Sequence, residues 1–189
     1  MLDWILNLDT QLFLLLNALH TPFFDPIMIF VSGKLTWLPL YLLIVLYMYK
    51  HFGWRFVWPL LGIALVVVLA DQSSVHLFKN VFQRMRPCHN PIIKDLIYLP
   101  TGRCAGGRFG FVSSHAANVF GVAVCLVFLI KKRWFTIFIL AWAALVSYSR
   151  IYLGAHYPGD VFFGAILGAI IGYSVWNLIY GINRVKRIL

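Results

Sequence analysis

Eight side chains suited to handling a phosphate sit in three short stretches of this chain. The first stretch is Lys79-Asn-Val-Phe-Gln-Arg-Met-Arg86-Pro87 and the second is Val112-Ser113-Ser114-His115. The third opens with Ser149-Arg150 and closes with His156-Tyr-Pro-Gly-Asp160. Around them the chain is 61% hydrophobic and only 12% charged. Charge is costly inside a bilayer, so ionisable groups gathered in such a chain read as a site. Lys79, Arg86 and Arg150 supply cations for phosphate oxygens. Two histidines and a carboxylate suit nucleophilic and acid–base chemistry.

The spacing within each stretch suggests how the groups work. Asp160 falls in the first turn of a helix that Pro158 is well placed to open, within reach of His156 Nδ1–H. A carboxylate there fixes the imidazole tautomer and leaves Nε2 free to attack phosphorus. Ser113 and Ser114 precede an apolar helical run. Hydroxyls and free backbone N–H groups at a helix N-terminus hold anions, and His115 directly after them favours this over the alternative that Ser113 only caps the helix. Lys79 and Arg86 are seven residues apart and would share a helical face if the helix reached Arg86. Pro87 would then end that helix.

The three stretches resemble the motifs of the type 2 phosphatidic acid phosphatase superfamily: Lys-x6-Arg-Pro, Pro-Ser-Gly-His, and Ser-Arg-x5-His-x3-Asp. The first and third match at every defined position. The second departs from the pattern, with Val112 in place of Pro and Ser114 in place of Gly. Both departures leave the donors in place, but Ser114 reaches positive φ less freely than glycine. The resemblance implies a phosphatase in which Lys79, Arg86, Ser113, Ser114 and Arg150 bind phosphate. His156 would attack, Asp160 would orient it, and His115 would protonate the leaving oxygen and then activate water. No cofactor or metal is expected, because the cations supply the positive field. Soluble haloperoxidases share these motifs, but the apolar spans exclude a soluble protein.

The elements that must position these groups read as an all-α integral membrane bundle in a single domain, residues 1–189. Apolar runs of about 20 residues, enough to span a bilayer, fall at 26–49, 56–78, 111–130, 134–153 and 158–181. That gives five transmembrane helices. Residues Leu2 to Leu19 are interrupted by Asp3, Asn7, Asp9 and Asn17, which suggests an interfacial amphipathic helix, with a sixth span as the alternative. A cleaved signal peptide does not fit, because no basic region precedes the apolar run. Trp37, Trp54, Trp58, Trp134 and Trp176 fall near span ends, as interfacial aromatics do.

The formal net charge is +10, but its distribution does not describe a nucleic-acid surface. Lys50 and Arg55, then Lys131, Lys132 and Arg133, then Arg184, Lys186 and Arg187 fall on one side of the predicted bundle. Lys34, Lys79, Arg84, Arg86, Lys94, Arg103, Arg108 and Arg150 fall on the other, so a plain count is tied. Phosphate binding accounts for at least three of the second set. The short basic turns therefore mark the cytoplasmic side. A bacterial inner-membrane protein with its site facing outward follows.

The partners expected are membrane lipids and a lipid phosphate: undecaprenyl diphosphate, a lipid A-type phosphate, or phosphatidylglycerol phosphate. A phosphate-binding channel or transporter is the alternative function. No continuous polar stripe outside the motifs and no pair of broken helices favours it. Asp71, inside the second span, reads as a group hydrogen-bonded within the bundle, and Lys34 as a snorkelling side chain. Cys88 and Cys104 lie in the outward loop, where an oxidising compartment would join them. A zinc site on Cys88 and His89 is the rival and lacks a fourth ligand. Nothing in the sequence speaks to oligomeric state.

Overall fold

The computed structural model describes residues 2–182. Its regular structure is helical, with no β-strand among the described residues beyond one isolated bridge between Met85 and Phe109. In chain order the helices are α1 (Leu2–Asn17), α2 (Phe24–Ser32), α3 (Leu38–Phe52), α4 (Val57–Ser73), the short α5 (Asn80–Phe82), α6 (Ser114–Ile130), α7 (Arg133–Tyr152) and α8 (Pro158–Ile182). A π-helical turn, Ser74–Lys79, joins α4 to α5. The basic tail residues Arg184, Lys186 and Arg187 lie outside the described residues.

Among the described residues, three stretches are long and apolar enough to cross a membrane: Leu38–Phe82, Arg133–Tyr152 and Pro158–Ile179. The apolar helix Ser114–Ile130 is shorter. The first of these stretches is two legs rather than one rod. Gly53 takes a φ of 55° and caps α3, and α4 starts four residues later. Trp37, the N-cap of α3, lines the same cavity as Asp71 near the end of α4 and Lys79 at the end of the π-helical turn after it, so the legs run antiparallel.

The span expected at 26–49 is corrected by the structure. It divides into α2 and α3 at Gly33, whose extended backbone (φ −68°, ψ 134°) ends α2. Thr36 Oγ1 donates to the Phe30 carbonyl at 2.7 Å and so closes the turn. Pro39 sits in the first turn of α3, where its missing N–H costs nothing. The break brings Ser32 and Lys34 to the motif end of the bundle.

At the centre is α6, packed against α4, α7 and α8. Its closest partner is α8, and glycine makes that approach possible. A Cβ added at Gly168 would lie 2.1 Å from the Ala117 carbonyl oxygen. At Gly172 it would lie 2.2 Å from that of Gly121, and at Gly164 2.6 Å from that of Ser113. The three glycines are four residues apart on one face of α8, the small-residue packing by which membrane helices bring their backbones together. Gly164 thus sets the distance between the second motif and the helix carrying the third. Around this seam lies the main core, which includes Met48, Val66, Leu126, Ile139 and Trp142.

Gly168→Leu should force α6 and α8 apart and destabilise the protein by roughly 1–3 kcal/mol or more. Thermal unfolding in detergent would show the loss, whereas Ile170→Leu, on the exposed side of the same helix, should leave the transition unmoved.

Candidate active site

Helix ends converge on one point: the C-termini of α4–α5 and α7, and the N-termini of α6 and α8. Antiparallel neighbours joined by the short turn Lys131–Lys132 make this unavoidable. It places the basic turns Lys50–Arg55 and Lys131–Arg133 at the opposite end.

His156 lies in the turn between α7 and α8 and is 1% exposed. Its Nδ1 is 3.4 Å from Asp160 Oδ2, which also accepts from the Tyr157 N–H at 3.1 Å. With Nδ1 protonated toward the carboxylate, Nε2 carries the lone pair. It accepts from Arg86 Nη1 at 2.7 Å. The tautomer expected from the sequence is thus the one this set of partners requires. Burial, with the guanidinium groups of Arg86 and Arg150 and the ammonium of Lys79, holds the His156 imidazole well below its usual 6.5. A neutral imidazole is the nucleophilic form.

Arg86 does not lie on a helix, which corrects the expectation of a shared face with Lys79. The helix stops at Phe82 because Gln83 is left-handed (φ 47°), and Arg86 is extended. Its strand-like segment pairs with the loop ahead of α6: Arg86 N–H donates to the Arg108 carbonyl at 3.0 Å and Gly110 N–H to that of Arg84 at 2.8 Å. Pro87 opens a 3₁₀ turn instead of ending a helix. The side chain is fixed by Nε donating to the Gly107 carbonyl at 2.7 Å and Nη1 to that of Ala155 at 3.1 Å.

Arg150, at the end of α7, donates through Nη1 to Ser32 Oγ and through Nη2 to the Ala105 carbonyl at 3.4 Å. Its Nε is buried without a hydrogen-bond partner among the described residues, a donor left for an anion. Lys79 donates to Ser114 Oγ. Ser74 Oγ is 2.6 Å from Ser114 Oγ and donates to the Asp71 carbonyl at 2.8 Å. Because Ser74 gives its only proton to that carbonyl, Ser114 donates to Ser74 and accepts from Lys79. Ser114 therefore aims the ammonium rather than offering a proton outward.

Ser113 is the N-cap of α6, its Oγ accepting from Ala116 N–H at 3.4 Å. Ser114, the first residue of α6, does not take a positive φ, so its own conformation does not call for glycine. His115, one residue on, lines the same cavity as Lys79, Arg86 and Ser114.

That cavity, of about 750 Å³, extends from the site between α3 and α4. Its polar rim is Lys34, Lys79, Arg86, Ser114 and His115, and its walls include Ile44, Met48, Val67 and Val122. Asp71 and Gln72 also line it, and the Asp71 backbone carbonyl accepts from Ser74 Oγ within the bundle. Cys88 and Cys104 are joined in a disulfide, with Cα atoms 5.7 Å apart, and Cys125 is free and buried. The two sulfurs lie near His89, but sulfurs bonded to each other are not thiolate ligands.

The model of the PAP2 superfamily matches residues 56–184. The chain belongs to this superfamily. It is 44% identical over 179 residues to the lipid A 4'-phosphatase of Bacteroides thetaiotaomicron, covering 93% of this chain and 77% of that protein. The lipid A 4'-phosphatase of Porphyromonas gingivalis is 32% identical, over 94% of this chain and 75% of its own length. In fold, the chain resembles the transmembrane PAP2-type phosphatidylglycerolphosphate phosphatase of Bacillus subtilis. The TM-score is 0.72 at 22% identity, covering 97% of this chain and 90% of that one.

Four residues at the PAP2 site escaped the sequence reading. Arg84 donates to Asp160 Oδ1 at 2.9 Å and to Asp9 Oδ2 at 2.7 Å. Ser32 and Ser74 support Arg150 and Lys79. Arg84 had a signal, being a cation two residues before Arg86. The rest depend on contacts across the fold that spacing does not encode.

Histidine NMR of the unliganded protein, with His156→Gln for assignment, should show His156 still neutral at pH 6.5. The sign follows from burial among cations, which disfavours the imidazolium and moves its titration to lower pH. A His156 that protonates at or above its ordinary value would mean that the site is wetter than the structure shows.

Proposed function

We propose that this protein is a membrane lipid phosphatase that removes phosphate through a phosphohistidine on His156. The observation that carries this reading is the cavity, one continuous space with an apolar wall and a rim of Lys34, Lys79, Arg86 and His115, in which Arg86 hydrogen-bonds His156 behind it. A phosphate with a long hydrocarbon attached fits both ends. Its volume lies within the range of about 300–1,000 Å³ usual for ligand sites.

The chemistry follows from the contacts. A phosphoryl oxygen reaching Arg86 takes over the Nη1 donor now spent on His156 and releases the Nε2 lone pair. Lys79, Arg150 and the Ser113 hydroxyl meet the remaining oxygens and the charge that spreads over them in the transition state. The Nε2–P bond forms as the bond from phosphorus to the lipid oxygen breaks, and His115 donates a proton to that oxygen. Water then attacks phosphorus, His115 takes its proton, and Nε2 leaves with inorganic phosphate released. The cations supply the field, so EDTA should leave the rate unchanged. Orthovanadate, able to become five-coordinate on His156, should inhibit.

Similarity to two lipid A 4'-phosphatases over more than nine-tenths of the chain supports a lipid A-type phosphate as the substrate. Undecaprenyl diphosphate and phosphatidylglycerol phosphate are the other candidates. The decisive assay is release of phosphate by purified protein from these three lipids. His156→Ala should abolish turnover of whichever is used, and Asp160→Asn should lower it with the fold intact. Val122→Trp, which fills the cavity, should raise KM for the lipid far more than for a short-chain phosphate ester. Near-normal turnover by His156→Ala would refute the covalent mechanism.

The setting we propose is a bacterial inner membrane, with the basic turns cytoplasmic and the site outside. The spans would be α3, α4–α5, α6, α7 and α8, with α1 lying at the outer interface. In a cysteine-free background, Asp95→Cys should react with a membrane-impermeant maleimide in cells whose outer membrane is permeabilised, and Lys132→Cys should not. The reverse labelling would invert the topology and leave the chemistry standing.

A further inference from the structure

We propose that Asp9 and Arg84 are positioning residues for the reaction, holding Asp160 in register with His156 and making α1 part of the catalytic framework. This rests on the reading of His156 as the nucleophile.

The argument begins with the Asp160 carboxylate, which is 0% exposed. A buried carboxylate needs donors on both oxygens. Oδ2 has two, the Tyr157 N–H and His156 Nδ1. Oδ1 has Arg84 Nη1, at 2.9 Å. Without Arg84, Oδ1 would lose this partner and the carboxylate could rotate about its last bond, carrying Oδ2 away from the imidazole.

Arg84 is itself immobilised. Its Cζ sits 4.0 Å from the centroid of the Tyr157 ring, and Nη2 donates to Asp9 Oδ2 at 2.7 Å. A planar guanidinium held on a ring face and at both terminal nitrogens has one orientation. Asp9 then grips the same turn a second time. Its Oδ1 accepts from the Gly159 N–H at 2.7 Å, immediately before Asp160. A Cβ at Gly159 would lie 2.7 Å from Asp9 Oδ2, so this approach requires glycine.

The rest of α1 continues the contact. Phe13, one turn beyond Asp9, is fully buried and meets the Tyr157 ring edge-on at 5.4 Å. Asn17, a turn further, donates to the Tyr152 carbonyl at 2.9 Å and accepts from Tyr98 N–H at 2.9 Å. Residues 9, 13 and 17 form one stripe, and that stripe is fitted to residues 152–160. A helix serving only as a membrane anchor has no need of a carboxylate on its protein-facing side.

The test compares steady-state kinetics of purified wild type, Asp9→Asn, Arg84→Met, Arg84→Lys, the double variant Asp9→Asn/Arg84→Met, and Asp3→Asn. A soluble short-chain phosphate ester serves as substrate, and phosphohistidine is trapped by rapid quenching. Asp9→Asn and Arg84→Met should lower kcat by about 10²-fold, the usual scale for a misplaced reacting group, with KM nearly unchanged. The double variant should be no worse than Arg84→Met, because the two residues act as one unit. Arg84→Lys should recover part of the loss. Asp3→Asn, exposed near the start of α1, should behave as wild type. Unchanged kcat in Asp9→Asn and Arg84→Met, a loss confined to KM, or a loss matched by the fraction of unfolded protein would overturn the proposal. Wild type that turns over without phosphohistidine would overturn the nucleophile reading, and the positioning proposal with it. Trapped phosphohistidine with wild-type kcat in the variants would overturn the positioning role alone.

Discussion

Burying one carboxylate beside one imidazole constrains most of this structure. Asp160 has no contact with solvent, and His156 almost none. An anion so placed is tolerable only if donors surround it, and the fold assembles them from distant parts of the chain: Arg84 from the loop after α5, the Tyr157 backbone, and His156 itself. The same burial keeps His156 neutral among Lys79, Arg86 and Arg150. Three cations gathered at one point repel each other, and an anion bound among them would relieve that repulsion.

The motifs were legible because they are local. His156 and Asp160 share a turn, and Ser113 caps the helix that Ser114 begins, so short-range geometry fixes both pairs once the helices are assigned. The bundle's helices were equally legible where hydropathy was continuous, as in α7 and α8. The reading failed where backbone conformation departs from pattern. Gln83 is not a residue that announces a left-handed turn, yet its φ of 47° ends the helix and sends Arg86 into an extended segment. Gly33 and Pro39 carried a signal for the break between α2 and α3, but hydropathy continued across it. The role of the glycines at 164, 168 and 172 comes from the structure alone, which shows the α6 backbone they meet.

Those departures also serve the site. Had the helix run on to Arg86, its guanidinium would have stood on the same face as Lys79. The turn at Gln83 instead brings it around to meet the Gly107 and Ala155 carbonyls and His156 together. The break at Gly33 lets Ser32 accept from Arg150 and leaves Lys34 at the rim of the cavity. The π-helical turn Ser74–Lys79 adds a residue to the winding just before Lys79, and π-turns often mark functional positions. Ser74 in that turn faces Ser114, which in turn receives Lys79.

The loop between Pro87 and Gly110 ties these pieces together. Its backbone carbonyls at Ala105 and Gly107 orient Arg150 and Arg86 respectively. The Cys88–Cys104 disulfide closes the loop one residue after Pro87 and one before Ala105. Cross-linking so close to both arginine contacts restricts the carbonyls that aim them. Such a bridge acts on more than stability: it narrows the geometries available to Arg86 and Arg150. The same loop covers the motif end of the bundle, where, on the proposed function, a lipid head group would rest. Any change in the loop that altered which head group is accepted would therefore also move the groups that hold the phosphate. On the proposed function, the loop that would meet the head group is also the loop whose carbonyls hold Arg86 and Arg150, so a change at one contact acts on the other.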